Sequence, residues 1–297
     1  MSQGSFSGRK VTASAAALAA VLLLSAMPAA GAAVTGGHDA VGFPEAGTTW
    51  YFAEGTTRSG FKEYICLMNP GGSTTARLTY MLADGSVMVK DYRLPGESRT
   101  TVEVLAEVPP EKDVSIEVKA GAPVVAERPM CFTYGGAWSG GHDSPGASQA
   151  LETWHFAEGC TRPGFDTYLC VLNPQDKEAE LRIMYYCGDG FKEEKRTSVG
   201  PRSRLTVPVH EAGMGIGRHD GARGDFGARI ESSVPVVAER AMYFAYAGGV
   251  TGGHDVVGAA EPARQWLFAE GCTRDGFDTY LCLANPGQRD AFARIYY

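Results

Sequence analysis

Several of the commonest functional signals are missing from these 297 residues. There is no phosphate-binding glycine loop, no His-Glu-x-x-His, no Gly-x-Ser-x-Gly and no Cys-His protease context, so the chemistries those motifs carry have no visible seat. Positive charge is also scarce, with 27 Lys and Arg against 34 Asp and Glu for a formal net charge of −7. An acidic chain without a basic stripe argues against nucleic acid as a partner, because neutralising phosphates takes clustered cations. No segment reads as a convincing amphipathic helix, and no run supplies the ~20 strongly apolar residues that span a bilayer. What is plentiful is glycine and proline, 38 and 16 residues, above average usage but short of low complexity. That composition reads as frequent tight turns and points to an all-β protein.

The amino terminus has an order of its own. Arg9 and Lys10 precede an apolar stretch over residues 11–27, diluted by Thr12, Ser14 and Ser25, and Pro28 then leads into Ala29, Ala30, Gly31, Ala32 and Ala33. A positive end, a short apolar run and an Ala-x-Ala site make a secretory signal peptide, expected over residues 1–32 with cleavage after Ala32. The expected location is therefore extracellular or at the cell surface, with no membrane span left after cleavage. Loss of Arg9 and Lys10 takes the formal charge from −7 to −9.

Self-similarity organises the rest. Trp50, Trp154 and Trp266 each open a W-x-F-A-E-G-x-T-R-x-G-F block that runs on through Y-x-C-x-x-N-P; Pro123 and Pro235 each open P-V-V-A-E-R-x-M; Gly36, Gly140 and Gly252 each open G-G-H-D. Blocks recur in step, 104 and then 112 residues apart. This spacing is too long for a solenoid turn and suits a domain with its own core. The expected layout is a lead-in over 33–49 containing one G-G-H-D, a first repeat over 50–146, a second over 147–258 and a partial third over 259–297, the repeats folding as separate beads. The extra length of the second repeat falls mainly in its glycine-rich stretch at 213–224.

Strand signals are dense within a repeat. Ala76, Leu78, Tyr80 and Leu82 alternate with polar residues, as do Val114, Ile116 and Val118, and Ala179, Leu181, Ile183 and Tyr185. Period-two alternation places one face on a core and the other in water. Residues 64–68 and 124–134 are apolar on both faces, as central strands are. Asp84-Gly85 and Asp189-Gly190 fit tight hairpins in which both central residues take positive φ. About seven short strands per ~100 residues predict a tandem immunoglobulin-like β-sandwich. Together the three blocks resemble tandem repeats of secreted and cell-surface proteins of actinobacterial type, over nearly everything after the signal peptide. The resemblance implies architecture and location and attaches no activity. The departures are Thr56 where the other repeats have Cys160 and Cys272, and Lys62 where they have Asp166 and Asp278.

Seven cysteines in an exported chain invite disulfides. Cys160 with Cys170 and Cys272 with Cys282 hold equivalent places, and Cys66 lacks that neighbour but has Cys131, so the expected bridges are Cys66–Cys131, Cys160–Cys170 and Cys272–Cys282, leaving Cys187 free.

The recurring polar residues read as structural. His38-Asp39, His142-Asp143 and His254-Asp255 supply only a pair per repeat, too few ligands for a metal, and fit a glycine hinge with backbone hydrogen bonds. Glu54 with Arg58, Glu158 with Arg162 and Glu270 with Arg274 lie on glycine-bounded turns, while Glu127-Arg128 and Glu239-Arg240 sit in apolar strands. Neighbours on a strand face opposite ways, so each Glu-Arg pair is expected to send only one member into the core, where it forms a cross-strand ion pair with the turn. Arg223-Gly224-Asp225 spells an adhesion tripeptide but coincides with composition at that loop. Trp50, Phe52, Trp154, Phe156, Trp266 and Phe268 are spaced two apart, as on a core face, and do not suggest a sugar platform. No catalytic, cofactor or metal residue is assigned. The expected function is a non-enzymatic surface spacer or adhesion module; the alternative is an accessory module for cell-wall glycan belonging to a secreted enzyme. The expected partners are cell-wall glycan or another surface protein, with strand pairing available through the incomplete third repeat.

Overall fold

The computed structural model describes residues 37–246 and 249–297. The expected signal peptide lies outside the described residues. Each of the first two repeats forms seven antiparallel strands: β1 (Gly47–Phe52), β2 (Phe61–Asn69), β3 (Thr74–Leu82), β4 (Val87–Leu94), β5 (Ser98–Glu103), β6 (Val114–Tyr134) and β7 (Trp138–Pro145), then β8 (Leu151–Phe156), β9 (Phe165–Asn173), β10 (Ala179–Cys187), β11 (Lys192–Val199), β12 (Ser203–Pro208), β13 (Phe226–Tyr246) and β14 (Val250–Val257). The strand order is β4-β3-β6-β2-β5 in the first repeat and β11-β10-β13-β9-β12 in the second, with β1 and β7, or β8 and β14, also pairing to the long central strand. The protein is thus all-β, a repeated sandwich-like fold of two curled sheets.

The long strand explains the curl. In β6, residues 114–120 pair with β3 and β1, Val124 pairs with Gly47 at the start of β1, and residues 125–134 pair with β2 and β7. Pro123, and Pro235 in β13, sit where the partners change. Proline has no N–H to give a ladder, so a continuous pairing breaks there and the strand passes from one layer to the other. The two segments that read as separate strands in the sequence are therefore halves of one bent strand.

Turn chemistry fixes the register. Asn69 Nδ2 donates to the carbonyls of Gly72 at 2.9 Å and Pro95 at 2.7 Å, and Asn173 does the same to Lys177 and Gly200. At the hairpins only Gly85 and Gly190 have positive φ. Asp84 and Asp189 instead accept a backbone N–H two residues on, so these are three-residue loops with one left-handed glycine, not the two-residue turns expected.

Each repeat buries its own core. Trp50 is 2 % exposed and its Nε1 donates to the Val124 carbonyl at 2.9 Å; Trp154 repeats the contact with Val236 at 2.8 Å. Trp50, Phe52, Trp154 and Phe156 are core residues, as their spacing implies, whereas Trp266 and Phe268, expected on the same face, are exposed because residues 260–297 build no sheet to cover them. Ser115 and Glu117, expected on a wet face, are buried instead, Ser115 because its hydroxyl caps the Ala53 carbonyl and Glu117 beside Lys119. The repeats are not separate beads. A further apolar cluster joins Phe132 of the first repeat to Ala241 and Tyr243 of the second. Residues 260–297 carry no strand among the described residues and expose Trp266, Phe268 and Phe292.

A candidate functional site at the junction between repeats

Alternation along the central strand sorts the Glu-Arg dipeptide onto two faces. Ala126 faces the first repeat's core opposite Leu67, so Arg128, two residues on, lies on the same inner face, and Glu127 lies on the outer one. The neighbouring strand β7 matches this: Ser144 and His142 oppose Arg128 and Met130, while Asp143 opposes Pro129 on the outer face with Glu127. In the second repeat Arg240 and His254 take the inner face, Glu239 and Asp255 the outer. Each repeat thus presents an acid pair on one side and an arginine on the other.

At the junction, the inner mouth of the first repeat covers the outer face of the second. Arg128 is 0 % exposed. Its Nη1 donates to Glu239 at 2.9 Å and to the Glu54 carbonyl, and stands 3.2 Å from the Glu54 carboxylate. Its Nη2 donates to Asp255 at 2.6 Å, and the Ser144 hydroxyl donates to the same carboxylate at 2.7 Å. Glu239 also accepts the backbone N–H groups of Ala53 at 3.1 Å and Glu54 at 2.9 Å. Arg204 donates to the Gly55 carbonyl and Ser203 to that of Leu82, each at 3.0 Å. Tyr134 stacks on Tyr243 with ring centroids 4.5 Å apart and donates to Asp166 at 2.6 Å.

The paired glycines before His-Asp are required by this packing. A Cβ on Gly140 would lie 3.1 Å from the Gly252 Cα and one on Gly253 would meet the Phe132 ring at 2.5 Å. Only residues without a side chain let β7 and β14 come this close. The G-G-H-D blocks at 140–143 and 252–255 are accordingly strands and not the hinges expected. His38 Nε2 donates to the Asp143 carbonyl at 2.5 Å, and its ring lies 6.4 Å from that of His142 and 5.4 Å from that of His254, while Asp39 is exposed.

Low polarity around the seat shifts its titrations. Burial alone would push the Arg128 pKa down, but Glu239, Asp255 and Glu54 hold it well above its ordinary value, so the guanidinium stays charged. Burial raises Glu54 against the pull of Arg128, and pushes Glu239 up to about 8. Asp255 goes the other way: burial works against its charge, but the Arg128 charge and the Ser144 hydroxyl hold its carboxyl below the usual aspartate value. Burial also lowers His142 to about 3 and His254 to about 4, keeping both rings neutral. Glu63, buried beside this seat, accepts the Thr56 N–H at 2.8 Å, and burial raises it well above the carboxylate range.

The other sequence-flagged residues fall into three groups. Glu54 meets Arg128, and Glu158 meets Arg240 at 2.8 Å, the strand-to-turn pairing expected. Arg58 and Arg162 pair instead with Asp113 and Asp225, and Glu270 and Arg274 are exposed. Glu239 and Arg240 are both buried, contrary to the expectation that one neighbour stays wet, because the first repeat covers the outer face that carries Glu239. The adhesion tripeptide is occupied internally: Arg223 pairs with Asp189 at 2.6 Å and Asp225 with Arg162.

All seven cysteines are free. The expected Cys66–Cys131 bridge is excluded by register, since Lys62 opposes Cys131 and Glu127 opposes Cys66, four residues away along the ladder. Cys170 likewise opposes Glu239 across the sheet, whereas Cys160 bridges Asp225, so the second expected pair is separated as well. Cys272 and Cys282, the third expected pair, are also unbonded. Ser144 and Tyr243 complete the seat but carried no sequence signal, because the equivalent positions in the other repeat hold Val256 and Cys131; Arg204, also in the seat, does recur as Arg99, and the S-R-x-T-V match at 98–102 and 203–207 is the signal that could have found it. Among the described residues, no cluster of His, Cys, Asp or Glu has metal-holding geometry.

No protein-family model matches the chain, and no curated protein matches it. Among solved structures it is similar to Thermotoga maritima 1070, at 19 % identity and a TM-score of 0.32, over 34 % of this chain and 94 % of that one. It is also similar to the Anabaena sensory rhodopsin transducer, at 27 % identity and a TM-score of 0.26, over 30 % of this chain and 79 % of that one.

Proposed function

We propose that this chain is an exported, non-catalytic array of β-repeats that serves as a spacer or adhesion module at the cell surface. The observation that carries the proposal is the use made of the recurring polar residues. Glu54, Arg128, Glu239 and Asp255, four of the polar side chains that make the repeats recognisable, are consumed in one buried junction and face no open cleft. A repeat whose signature residues weld it to its neighbour is suited to transmitting position and force. A depression of about 280 Å³ between Phe43, Pro145, Trp154 and Val257, lined also by Ser148 and Gln149, has no titratable side chain in its lining. The remaining support is the order of the amino-terminal segment, which reads as an export signal.

The test is surface labelling. The chain is expressed in a producing cell, and exposed proteins are tagged with a membrane-impermeant amine reagent. The proposal expects labelled chain whose amino terminus begins near Ala33; a chain found only inside the cell, with residues 1–32 retained, overturns it.

A further inference from the structure

The junction has two unfilled halves. Arg240 is the second repeat's equivalent of Arg128 and is 4 % exposed, yet its Nε and Nη1 are buried without a partner; only Nη2 is met, by Glu158. The mouth around it is covered by residues 277–285, which lie against it without strand pairing, and not by the acid face of another repeat. Ala157 is exposed where its counterpart Ala53 is fully buried, and no carboxylate among the described residues accepts from Ala157 or Glu158 as Glu239 does from Ala53 and Glu54.

At the other end, Glu127 and Asp143 are the first repeat's equivalents of Glu239 and Asp255. They lie against each other on the outer face, and among the described residues neither makes a salt bridge and Asp143 Oδ1 is buried without a partner. Arg99, Arg128 and the His38 ring are the basic side chains around this pair. Arg99 donates to Thr101 at 2.8 Å and to Cys66 Sγ at 2.9 Å, and His38 contacts the Asp143 backbone. The surrounding face is uncovered: Met68 is 45 % exposed, whereas Leu172, at the same place in the covered repeat, is 0 %.

We infer that copies of this chain join head to tail, the Glu127–Asp143 face of one copy docking on the Arg240 seat of the next to form a second junction like the internal one. The complementarity is of charge and of shape, since the counterparts of both halves already fit each other within the chain, with Val256 and Cys131 here in place of Ser144 and Tyr243. Arg240 would take Glu127 and Asp143 as Arg128 takes Glu239 and Asp255, and the N–H groups of Ala157 and Glu158 would receive Glu127. Residues 277–285 mark the seat. Cys282 lies near Glu158 and Arg240, and Tyr280 near Arg162, as Cys170 lies near Glu54 and Tyr168 near Arg58 at the internal junction. That segment holds no strand pairing and is what the β2 strand of a docking copy displaces. A junction that uses different faces on its two sides is heterologous, so it builds rings or filaments and not closed dimers. This inference rests on the junction chemistry and not on the spacer role.

Sedimentation velocity on the full chain from 1 to 100 µM tests it. The expected result is a mass that rises with concentration above that of one chain, and a self-association weakened at least tenfold by Arg240→Gln and separately by Glu127→Gln with Asp143→Asn. The acid pair is half-buried, so the second variant keeps the test valid if the first folds poorly. Mixing the two variants restores one good end from each and gives pairs without larger species. A chain that stays monomeric at 100 µM, association unchanged by either variant, or a mixture that forms no pairs overturns the proposal. Monomeric chain at the cell surface would refute this inference alone, and assembling chain confined to the cytoplasm would refute the surface role alone.

Discussion

Arg128 and Arg240 occupy the same place in two copies of one fold and differ in what surrounds them, which makes their substitution by methionine a controlled comparison. Methionine keeps most of the buried stem and removes the charge and its donors. At position 128 the loss strands Glu239 and Asp255, both fully buried, and removes the donor to the Glu54 carbonyl. Breaking a buried pair by deleting one partner costs about 3–5 kcal/mol, here chiefly because the Asp255 carboxylate is left uncompensated while Glu239 loses a donor. At position 240 the substitution removes a buried guanidinium whose Nε and Nη1 already lack partners and gives up only the contact with half-exposed Glu158. The desolvation relieved there offsets the pair lost, so Arg240→Met is expected within about 1 kcal/mol of the parent. Urea unfolding followed by tryptophan fluorescence at 1 µM, under conditions where the chain is monomeric, reads both. With a slope near 3 kcal/mol/M, Arg128→Met moves the midpoint down by about 1 M or more. Equal shifts at the two positions would refute the reasoning, because they would mean the carboxylates of the second repeat contribute nothing to holding the first.

Two further outcomes follow from the same geometry. Folded Glu239 keeps its proton to about pH 8 while an unfolded glutamate releases it near its ordinary value, so the folded form binds the extra proton between those limits and stability falls as pH rises through that window. Thermal melting should therefore be higher at pH 5 than at pH 8.5, with Glu239→Gln flattening the slope; an unchanged slope in that variant would place the titration elsewhere. For the cysteines, a thiol reagent without reductant should titrate all seven in denaturant, and in the native state should reach exposed Cys131 and Cys282 well before buried Cys160 and Cys170, whose thiol pKa values burial raises; fewer than seven in denaturant would show bridges in the isolated protein.

Much of the fold was legible because it depends on local chemistry. The blocks repeated at 104 and 112 residues, the alternation around Leu78 and Leu181 and the asparagine turns at Asn69 and Asn173 each report on a strand or a bend within a few residues. What was not legible depends on contacts between distant residues. Residues 114–118 and 124–134 read as two strands, and only the partners on either side of Pro123 show that one strand serves two layers. Equivalent cysteines suggested bridges because spacing alone does not reveal which residue opposes which across a ladder. The expectation of independent beads failed for a related reason: a period near 100 shows that a unit carries its own core but is silent about its outer face.

The Glu-Arg and His-Asp dipeptides illustrate that last limit most directly. Two adjacent opposite charges in an apolar strand looked like a choice, one inside and one outside. In a single sandwich that choice is forced, since strand neighbours diverge and a buried charge needs a partner. In a chain of sandwiches it is not, because the outer face of one repeat becomes the interior of the junction, and both members are buried when the repeat has a neighbour on each side. Read this way, Glu-Arg is a connector with its acid turned toward the preceding repeat and its base toward the following one, and Asp255 across the ladder doubles the acid arm. The degree of burial of each arm then reports which neighbours are in place: Glu239 and Arg128 face each other and are closed off, whereas Glu127 and Ala157 stand partly or wholly open at the two ends.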